Sequence, residues 1–372
     1  MIPDSWLADR TRQIELSGIR KVFELGKSLK DPVNLSIGQP HFPVPEPVRE
    51  AAKAAIDAGH NGYTITQGVA ELRERLAADA AARFPGQNRD VLVTGGTSGG
   101  LLLALMATVN PGDEVVTPDP YFVAYPHMIT LAGGRTVAVP GYPDFKLDPD
   151  RIAAALTPRT KVILLSTPSN PTGVVAEPDA LKAVAELARK RGVLLVSDEI
   201  YRAFHYDGPA HSPAAWDEDV LVVEGFGKTY AMTGWRLGWA HGPKRLLGEM
   251  AKLQQFTFVC APSMAQHAGA AALDYDVSPL VADYRRKRDM LCEALRGRYE
   301  LTVPGGAFYV FPKAPWGTGT EFVSEAIKNN LLIIPGGTFS GRDTHFRISY
   351  AATDDTLRRG IEILTRLGDR PA

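Results

Sequence analysis

Short apolar runs alternate with stretches suited to helices from residue 90 onward, and this alternation constrains the fold more than any other feature. The runs are Val91–Val93, Glu114–Val116, Lys161–Leu165, Val193–Val196 and Val220–Val223. Strands that are buried on both faces of a sheet appear in a sequence as continuous apolar runs of this length. The alternation therefore predicts an α/β fold with a mainly parallel sheet covered by helices.

The last third of the chain predicts a second, smaller α+β domain. Helices are expected over residues 279–298 and 353–367, and strands at Ala307–Phe311, Leu331–Ile334 and His345–Ser349. No change of composition marks a linker, so the division follows the pattern alone. It gives an N-terminal arm with part of the small domain (1–45), the large domain (46–265) and the small C-terminal domain (266–372).

Charge and cysteine content exclude several classes of partner. Forty-one basic and 42 acidic residues among 372 give a formal net charge of −1, so nucleic acid and anionic membranes are not expected partners. Two cysteines are too few for a disulfide framework or a metal cluster and fit a reducing compartment. We find neither a signal peptide nor an apolar run near the ~20 residues of a membrane span. We therefore expect a soluble cytoplasmic protein without a metal.

A glycine-rich stretch, residues 94–100, follows the first apolar run. In an open α/β sheet, ligands bind outside the carboxyl ends of the strands. Gly96 lets backbone N–H groups approach a phosphate, and Thr97 and Ser98 open a helix whose N-terminus attracts anions. The glycine spacing matches neither a Rossmann fingerprint nor a P-loop. A tight strand-to-helix turn without a ligand fits the same residues.

Two loops after later apolar runs carry side chains suited to a nitrogen-containing aromatic ring. Asn170 can donate to a phenolate-type oxygen, and Tyr201 can share that oxygen. Asp198 can hold a pyridine nitrogen protonated, because an opposite charge nearby favours the charged form. Taken alone, an Asn-Pro turn and a helix-capping aspartate explain the same loops.

Two cations follow the last apolar run. Lys228 comes directly after the flexible Gly225-Phe226-Gly227, at a strand end and near Arg236. This placement suits a lysine that condenses with an aldehyde, as lysines that form Schiff bases with pyridoxal phosphate do. The guanidinium of Arg236 can bind a phosphate through two parallel hydrogen bonds. A surface lysine after a strand is the alternative.

Arg347 and Phe122 complete the candidates. Arg347 lies between apolar neighbours in the strand-like Phe346–Tyr350 and therefore needs an anionic partner, either a substrate carboxylate or an internal one. Phe122 follows the Glu114–Thr117 run and is suited to stacking on a flat cofactor, although an aromatic residue there also fits the core.

Together these residues resemble the class I and II aminotransferases, the pyridoxal phosphate enzymes of the aspartate aminotransferase type. The resemblance covers about residues 10–367, because Gly38–Pro40 and Pro304–Tyr309 also match. It implies fold type I, with a large domain built on a mainly parallel seven-stranded sheet covered by helices and a smaller α+β domain. The motifs that occur in the family's order are Ser169–Gly173, Ser197–Tyr201, Lys228 with Met232–Arg236, and Phe346–Tyr350.

The resemblance implies a role for each candidate. Lys228 would form a Schiff base with pyridoxal 5'-phosphate and shuttle the proton, Asp198 would pair with the pyridinium, and Arg347 would bind the substrate α-carboxylate. The other implied contacts are Asn170 with the ring oxygen and the substrate, Tyr201 with the ring oxygen, Phe122 stacked on the ring, Gly96, Thr97, Ser98 and Arg236 around the phosphate, Gly38 closing over the substrate, and Tyr63 reaching the phosphate of the neighbouring subunit. The last contact implies a homodimer with shared active sites.

Two features depart from the family pattern. Many relatives place a serine three residues before the lysine, where its hydroxyl contacts the phosphate, and Gly225 stands there instead. Phosphate contacts would then depend more on residues 97–98 and Arg236. No arginine near Gln254–Phe256 is available to bind a side-chain carboxylate across the dimer, and Arg20 is the one nearby candidate.

The resemblance implies a transaminase that moves an amino group from an L-amino acid to a 2-oxo acid, such as 2-oxoglutarate, by a ping-pong mechanism. Aspartate, aromatic or a broad range of donors all fit. A β- or γ-elimination lyase on the same scaffold is the alternative, because it needs the same lysine, aspartate and arginine. A regulator that senses the cofactor would need a DNA-binding module before the Gly38 loop, and we expect the stretch before that loop to be too short for one. A nicotinamide dehydrogenase is disfavoured by the glycine spacing.

Overall fold

Strands and helices alternate along the chain in the computed structural model, which describes residues 3–16, 18–26 and 29–369. The strands are β1 (Val33–Asn34), β2 (Arg89–Thr94), β3 (Glu114–Asp119), β4 (Arg135–Pro140), β5 (Thr160–Ser166), β6 (Leu194–Asp198), β7 (Leu221–Gly225), β8 (Gly238–Pro243), β9 (Tyr309–Val310), β10 (Leu331–Leu332), β11 (Ile334–Pro335) and β12 (Phe346–Ser349).

Helices cover both faces of the large sheet and also pack against the short sheets of the smaller unit. They are α1 (Asp9–Arg12), α2 (Gly18–Gly26), α3 (Glu46–Asp57), α4 (Ala70–Arg83), α5 (Gly96–Thr108), α6 (Ala124–Leu131), α7 (Pro149–Ala155), α8 (Pro178–Arg191), α9 (Phe226–Thr229), α10 (Lys244–Thr257), α11 (Ser263–Ala272), α12 (Ser278–Leu295), α13 (Gly319–Lys328) and α14 (Asp354–Gly368). Short 3-10 helices occur at Asp4–Trp6, Pro213–Ala215, Thr233–Trp235 and Gly336–Thr338.

Within the described residues, the large sheet has seven strands in the order β2-β8-β7-β6-β5-β3-β4. Strand β8 runs antiparallel to both of its neighbours, and the other pairings are parallel. The predicted α/β fold with a mainly parallel seven-stranded sheet is therefore confirmed. The five apolar runs correspond to β2, β3, β5, β6 and β7, whereas β4 and β8 were not recognised from the sequence.

Side chains of the central strands alternate between two buried layers. Val162 and Leu164 of β5 pack into the core beneath α5, and Ile163 and Leu165 pack into the opposite core beneath α8. All four are at most 2% exposed. Because both faces are covered, the polar residues of β5, β6 and β7 lie at or next to the strand ends, which is where the candidate site residues occur.

The smaller α+β unit contains two short sheets. Strand β1 pairs with β10, and β9, β12 and β11 form an antiparallel sheet. The side chains of Tyr284, Phe308 and Phe322 pack with these strands in one core. The N-terminal segment that contains β1 therefore joins the chain's last third in space.

The border proposed at residues 265 and 266 falls inside α11. Ala265 and Ala268 of this helix pack with Val48 of α3 and Val93 of β2 in one buried cluster. We therefore propose that the large domain continues to the end of α11, at Ala272. No helix in the described part of the chain has the length and apolar character to cross a membrane.

Candidate active site

A cavity of about 290 Å³ lies at the carboxyl ends of the parallel strands, between the large sheet and the small domain. Every candidate from the sequence lines it except Tyr63, whose side chain lies on the surface and is 87% exposed. The lining candidates are Gly38, Gly96, Thr97, Ser98, Phe122, Asn170, Asp198, Tyr201, Lys228, Arg236 and Arg347.

Asp198 ends β6 and its carboxylate is held by two donors. The hydroxyl of Tyr125 donates to Oδ2 at 2.8 Å, and the backbone N–H of Ile200 donates to Oδ1 at 3.2 Å. Burial raises the pKa of Asp198 to about 6, although these hydrogen bonds and the Lys228 cation favour the ionised form. A buried carboxylate of this kind is suited to a cationic ligand group.

Lys228 lies on the single turn of α9 that follows β7. Burial, together with the cations of Arg347 and Arg236, lowers the pKa of Lys228 to about 8. Its ammonium donates to the carbonyl oxygen of Gly38 and lies 5.9 Å from the ring centroid of Tyr201. A lysine with this pKa has a larger neutral amine fraction near neutral pH than an ordinary lysine and is therefore more available as a nucleophile or base.

An anion cradle is formed where β2 enters α5. Gly96 has φ +75°, a conformation that favours glycine, and Nη2 of Arg236 lies 2.6 Å from where a Cβ would be. The hydroxyl oxygen of Thr97 is buried and has no hydrogen-bond partner among the described residues. A buried hydroxyl without a hydrogen-bond partner, beside a helix N-terminus and a guanidinium, is suited to binding a phosphate.

Arg347 is a buried cation that, within the part of the chain that the structure describes, donates to neutral oxygens. Its guanidinium donates to Oδ1 of Asn170 at 3.0 Å and to the carbonyl oxygen of Ser36 at 2.8 Å, and it is 1% exposed. It lies 4.5 Å from the ring centroid of Tyr309 and 4.7 Å from that of Phe339. Its Nε has no hydrogen-bond partner among the described residues, and its two acceptors there are neutral amide and peptide oxygens. The guanidinium therefore retains capacity for an anionic ligand.

Two residues of the site were missed by sequence reasoning. Tyr125 supports Asp198 from α6, where nothing in the sequence separates it from an ordinary core aromatic. Tyr309 lines the cavity, and its hydroxyl lies 2.8 Å from that of Tyr201. Tyr309 belongs to the matched segment Pro304–Tyr309, so that motif was the available signal for it.

Comparison with known proteins agrees with this geometry. The family described as aminotransferase class I and II matches residues 30–364. The aspartate/prephenate aminotransferase of Thermus thermophilus is 37% identical, with 93% of this chain and 94% of the relative covered. The aromatic-amino-acid aminotransferase 2 of Thermococcus litoralis is 34% identical over 97% of this chain and 98% of the relative.

A solved structure gives the same result. The aspartate aminotransferase from Thermus thermophilus with maleate superposes with a TM-score of 0.91 at 34% identity, over 97% of this chain and 99% of that one. The fold and the family match together define an enzyme that acts as a transaminase. The chain belongs to the class I and II aminotransferases, and membership of this family implies pyridoxal phosphate as cofactor and amino acids and 2-oxo acids as substrates.

Proposed function

We propose that the protein transfers the amino group of an L-amino acid to a 2-oxo acid such as 2-oxoglutarate through two half-reactions in this cavity. The observation that carries the proposal is the shared cavity of Lys228, Asp198 and Arg347. An amine that is partly neutral, a buried carboxylate and a carboxylate-binding guanidinium are the groups that transamination requires. The guanidinium of Arg347 can bind the α-carboxylate of the amino donor in one half-reaction and that of the 2-oxo acid in the other.

The residues present fit pyridoxal phosphate. We assign the phosphate to Thr97, Ser98, Arg236 and the backbone at Gly96, because the Thr97 hydroxyl is unpartnered and a cation adjoins it. Asp198 would hold the pyridinium. The family resemblance assigns the ring oxygen to Asn170 and Tyr201 and ring stacking to Phe122, and these three also line the cavity.

When bound, pyridoxal phosphate supplies an electron-withdrawing ring that acidifies the α-hydrogen of the amino acid. We assign the movement of that proton to Nζ of Lys228, whose lowered pKa of about 8 lets it accept and return a proton near neutral pH. Arg347 would orient the α-carboxylate through Nε–H and the other N–H groups that its bonds to Asn170 and Ser36 leave available. The segment at Gly38 would exclude water above the reacting carbon.

The cavity wall favours donors with apolar or aromatic side chains. Ile19, Leu101 and Ile200 line it. Among the described residues, its cations are Lys228, Arg236 and Arg347, each of which already has an assigned role. A side-chain carboxylate would then be buried without a cation from the same subunit, which is costly. We therefore rank aromatic donors above aspartate; the side chain of Arg20 lies outside the described residues.

We propose that the active enzyme is a homodimer in which Tyr63 serves the partner's site. Tyr63 and Phe256 are each 87% exposed, and Ile65 is 57% exposed. The two segments adjoin, since Nε2 of Gln254 donates to the carbonyl oxygen of Thr66 at 2.7 Å. A contiguous exposed apolar patch of this kind marks a protein interface. Because Cys260 and Cys292 are both free thiols, we also propose the cytoplasm as the compartment.

A donor screen tests the proposed reaction. The purified holoenzyme is incubated with each amino acid in turn, with and without 2-oxoglutarate, and glutamate and ammonia are measured separately. Transamination gives glutamate that depends on the 2-oxo acid. Ammonia release that needs no acceptor would instead indicate the elimination lyase, and neither product with any donor would contradict the proposal.

Subunit mixing tests the shared site. If Tyr63 acts across the dimer, mixing Lys228→Ala subunits with Tyr63→Ala subunits restores one intact site in each hybrid, so activity rises above that of both parents. If Tyr63 acts within its own subunit, or the protein is a monomer, mixing gives no gain.

A further inference from the structure

His41 lies three residues after Gly38 and forms the outer end of the segment that covers the cavity. The inner end of this segment contacts two groups of the proposed machinery. The carbonyl oxygen of Ser36 accepts from Arg347, and that of Gly38 accepts from Lys228. Gly38 also lies against Tyr309, because a Cβ at position 38 would be 2.6 Å from the tyrosine hydroxyl. The position of the segment therefore affects both cations.

The imidazole of His41 joins this segment to α12. Its Nδ1 lies 3.1 Å from the hydroxyl of Tyr284, and its backbone N–H donates to the same hydroxyl at 3.2 Å. Its Nε2 lies 2.8 Å from Nζ of Lys287. The side chain of His41 is 23% exposed and that of Lys287 is 2% exposed, so both contacts are largely removed from water.

The charges around His41 come from α12 and α14. Nζ of Lys287 lies 2.8 Å from Oδ2 of Asp283 and 3.7 Å from Oδ1 of Asp354. Arg286 donates to the other side of the same pair, at 2.7 Å to Asp283 and 2.6 Å to Asp354. Arg358 lies 4.0 Å from Oδ2 of Asp354, and Nε2 of His41 lies 3.8 Å from Oδ2 of Asp283. Three cations thus face two carboxylates when the imidazole is neutral, and protonation of His41 would add a fourth positive charge.

These contacts favour one protonation state and one tautomer of the His41 imidazole. A lysine ammonium has three donors and no acceptor, so Nε2 of His41 must accept the hydrogen bond. The proton of the neutral ring is then on Nδ1, which donates to the oxygen of Tyr284. Protonation of Nε2 would replace the hydrogen bond with two donors facing each other and place a second cation 2.8 Å from the ammonium. Burial and the Lys287 cation accordingly lower the pKa of His41, although Asp283 and Asp354 oppose this change.

We propose that His41 is a positioning residue that, as a neutral imidazole bridging Lys287 and Tyr284, fixes the Ser36–His41 segment over the substrate site. The inference rests on the proposed transaminase function of that site. It assigns to His41 no contact with substrate or cofactor. Loss of the bridge loosens the segment, so binding of the amino donor weakens more than the chemical step slows.

Two substitutions of His41 distinguish loss of the bridging contacts from loss of the ability to be protonated. His41→Ala removes both contacts, and we expect KM for the amino donor to rise about tenfold with kcat within about threefold. His41→Gln keeps an acceptor near the position of Nε2 but cannot be protonated. As the pH falls below about 6.5, the ordinary pKa of histidine, the ratio of the wild-type KM to the KM of the glutamine variant should therefore rise. His211→Gln, on a loop outside the cavity, is the matched control and should follow the wild type.

A second readout needs no substrate. Amide hydrogen exchange of residues 35–42, corrected for the intrinsic rate at each pH, should accelerate on acidification in the wild type and not in His41→Gln. An unchanged KM in His41→Ala, or the same acid response in His41→Gln as in the wild type, would overturn the proposal. Absence of transamination in every variant and the wild type, with the expected exchange pattern, would instead contradict the proposed function and leave the placement of His41 supported.

Discussion

The hydroxyl of Tyr125 donates to Oδ2 of Asp198 at 2.8 Å, and both side chains are almost fully buried. We expect Tyr125→Phe to weaken the binding of pyridoxal phosphate about tenfold, because a buried carboxylate loses a hydrogen bond that favours its ionised form. Titration of the apoprotein with the cofactor measures this. Tyr142→Phe removes a bond of similar length to Ser340, at 2.9 Å, and is the matched control. Equal affinity in Tyr125→Phe and the wild type would contradict the support role.

Elements with a strong local signal were predictable from the sequence. Helix α8 shows such a signal at both ends, because Pro178 occupies its first turn and Gly192 adopts the left-handed conformation that ends it. Strand β8 was missed because Gly238, Gly242 and Pro243 are residues that strands disfavour. It exists because it pairs on both sides, with β2 and β7, and such tertiary pairing is invisible in one sequence.

The residues of the site likewise divide into those with a local sequence signal and those that depend on tertiary contacts. Residues such as Lys228 and Asp198 were recognised because they follow strand ends in motifs. Tyr125 and the contacts of His41 were not, because they depend on side chains brought together from distant parts of the chain. His41 and Lys287 are separated by 246 positions, so no local pattern could have linked them.

The raised pKa of Asp198 predicts that Asp198→Asn makes the apoprotein more stable, although the same change should lower activity. Burial raises this pKa from 3.8 to about 6, so Asp198 lowers the stability of the folded apoprotein progressively as the pH rises above about 3.8, and the full cost is present above about 6. Asp198→Asn should therefore raise the unfolding free energy of the apoprotein at pH 7 by up to about 3 kcal/mol, at about 1.4 kcal/mol per pH unit. The gain should fall by about half at pH 5.

Denaturant titration of the apoprotein at both pH values measures this gain, and cofactor affinity and activity should fall at least about 100-fold in the same variant. Asp219→Asn changes an exposed carboxylate and serves as the control. A variant that is less stable than the wild type at pH 7 would show that the Asp198 carboxylate stabilises the empty site.

Lys228 should react with the cofactor at a lower pH than an ordinary lysine. Its pKa of about 8 means that half of the amine is neutral at about that pH, so the rate of covalent pyridoxal phosphate uptake by the apoprotein should be half-maximal there. The visible absorption of the covalently bound cofactor reports the rate. Lys228→Ala should abolish the band, and Lys252→Ala, at an exposed lysine, should retain it. A midpoint near the ordinary value of about 10.4 would contradict the lowered pKa.

Arg347 should not tolerate replacement by lysine. Its guanidinium already donates to Asn170 and Ser36, and only a planar fork leaves further N–H groups for a carboxylate. We expect Arg347→Lys to lower kcat/KM for amino acids by at least about 100-fold, while affinity for pyridoxal phosphate changes by less than about threefold. Steady-state kinetics and cofactor titration are compared, with Arg245→Lys on the surface as control. A similar loss in both measurements would indicate general damage to the site.

Gly225 lies against the side chain of Thr97. This contact affects whether position 225 can hold the serine that many relatives have there. A Cβ at position 225 would lie 2.6 Å from Oγ1 of Thr97, so the space that the family's serine would need adjoins the threonine hydroxyl. Gly225→Ser alone should therefore weaken cofactor binding through steric conflict, and Thr97→Ala alone should weaken it about tenfold through loss of a phosphate donor. The double variant replaces the threonine hydroxyl with a serine hydroxyl. It should bind the cofactor more tightly than the sum of the two single losses of affinity predicts. Cofactor titration of all four proteins measures the interaction energy, and strict additivity would show that the two positions act independently.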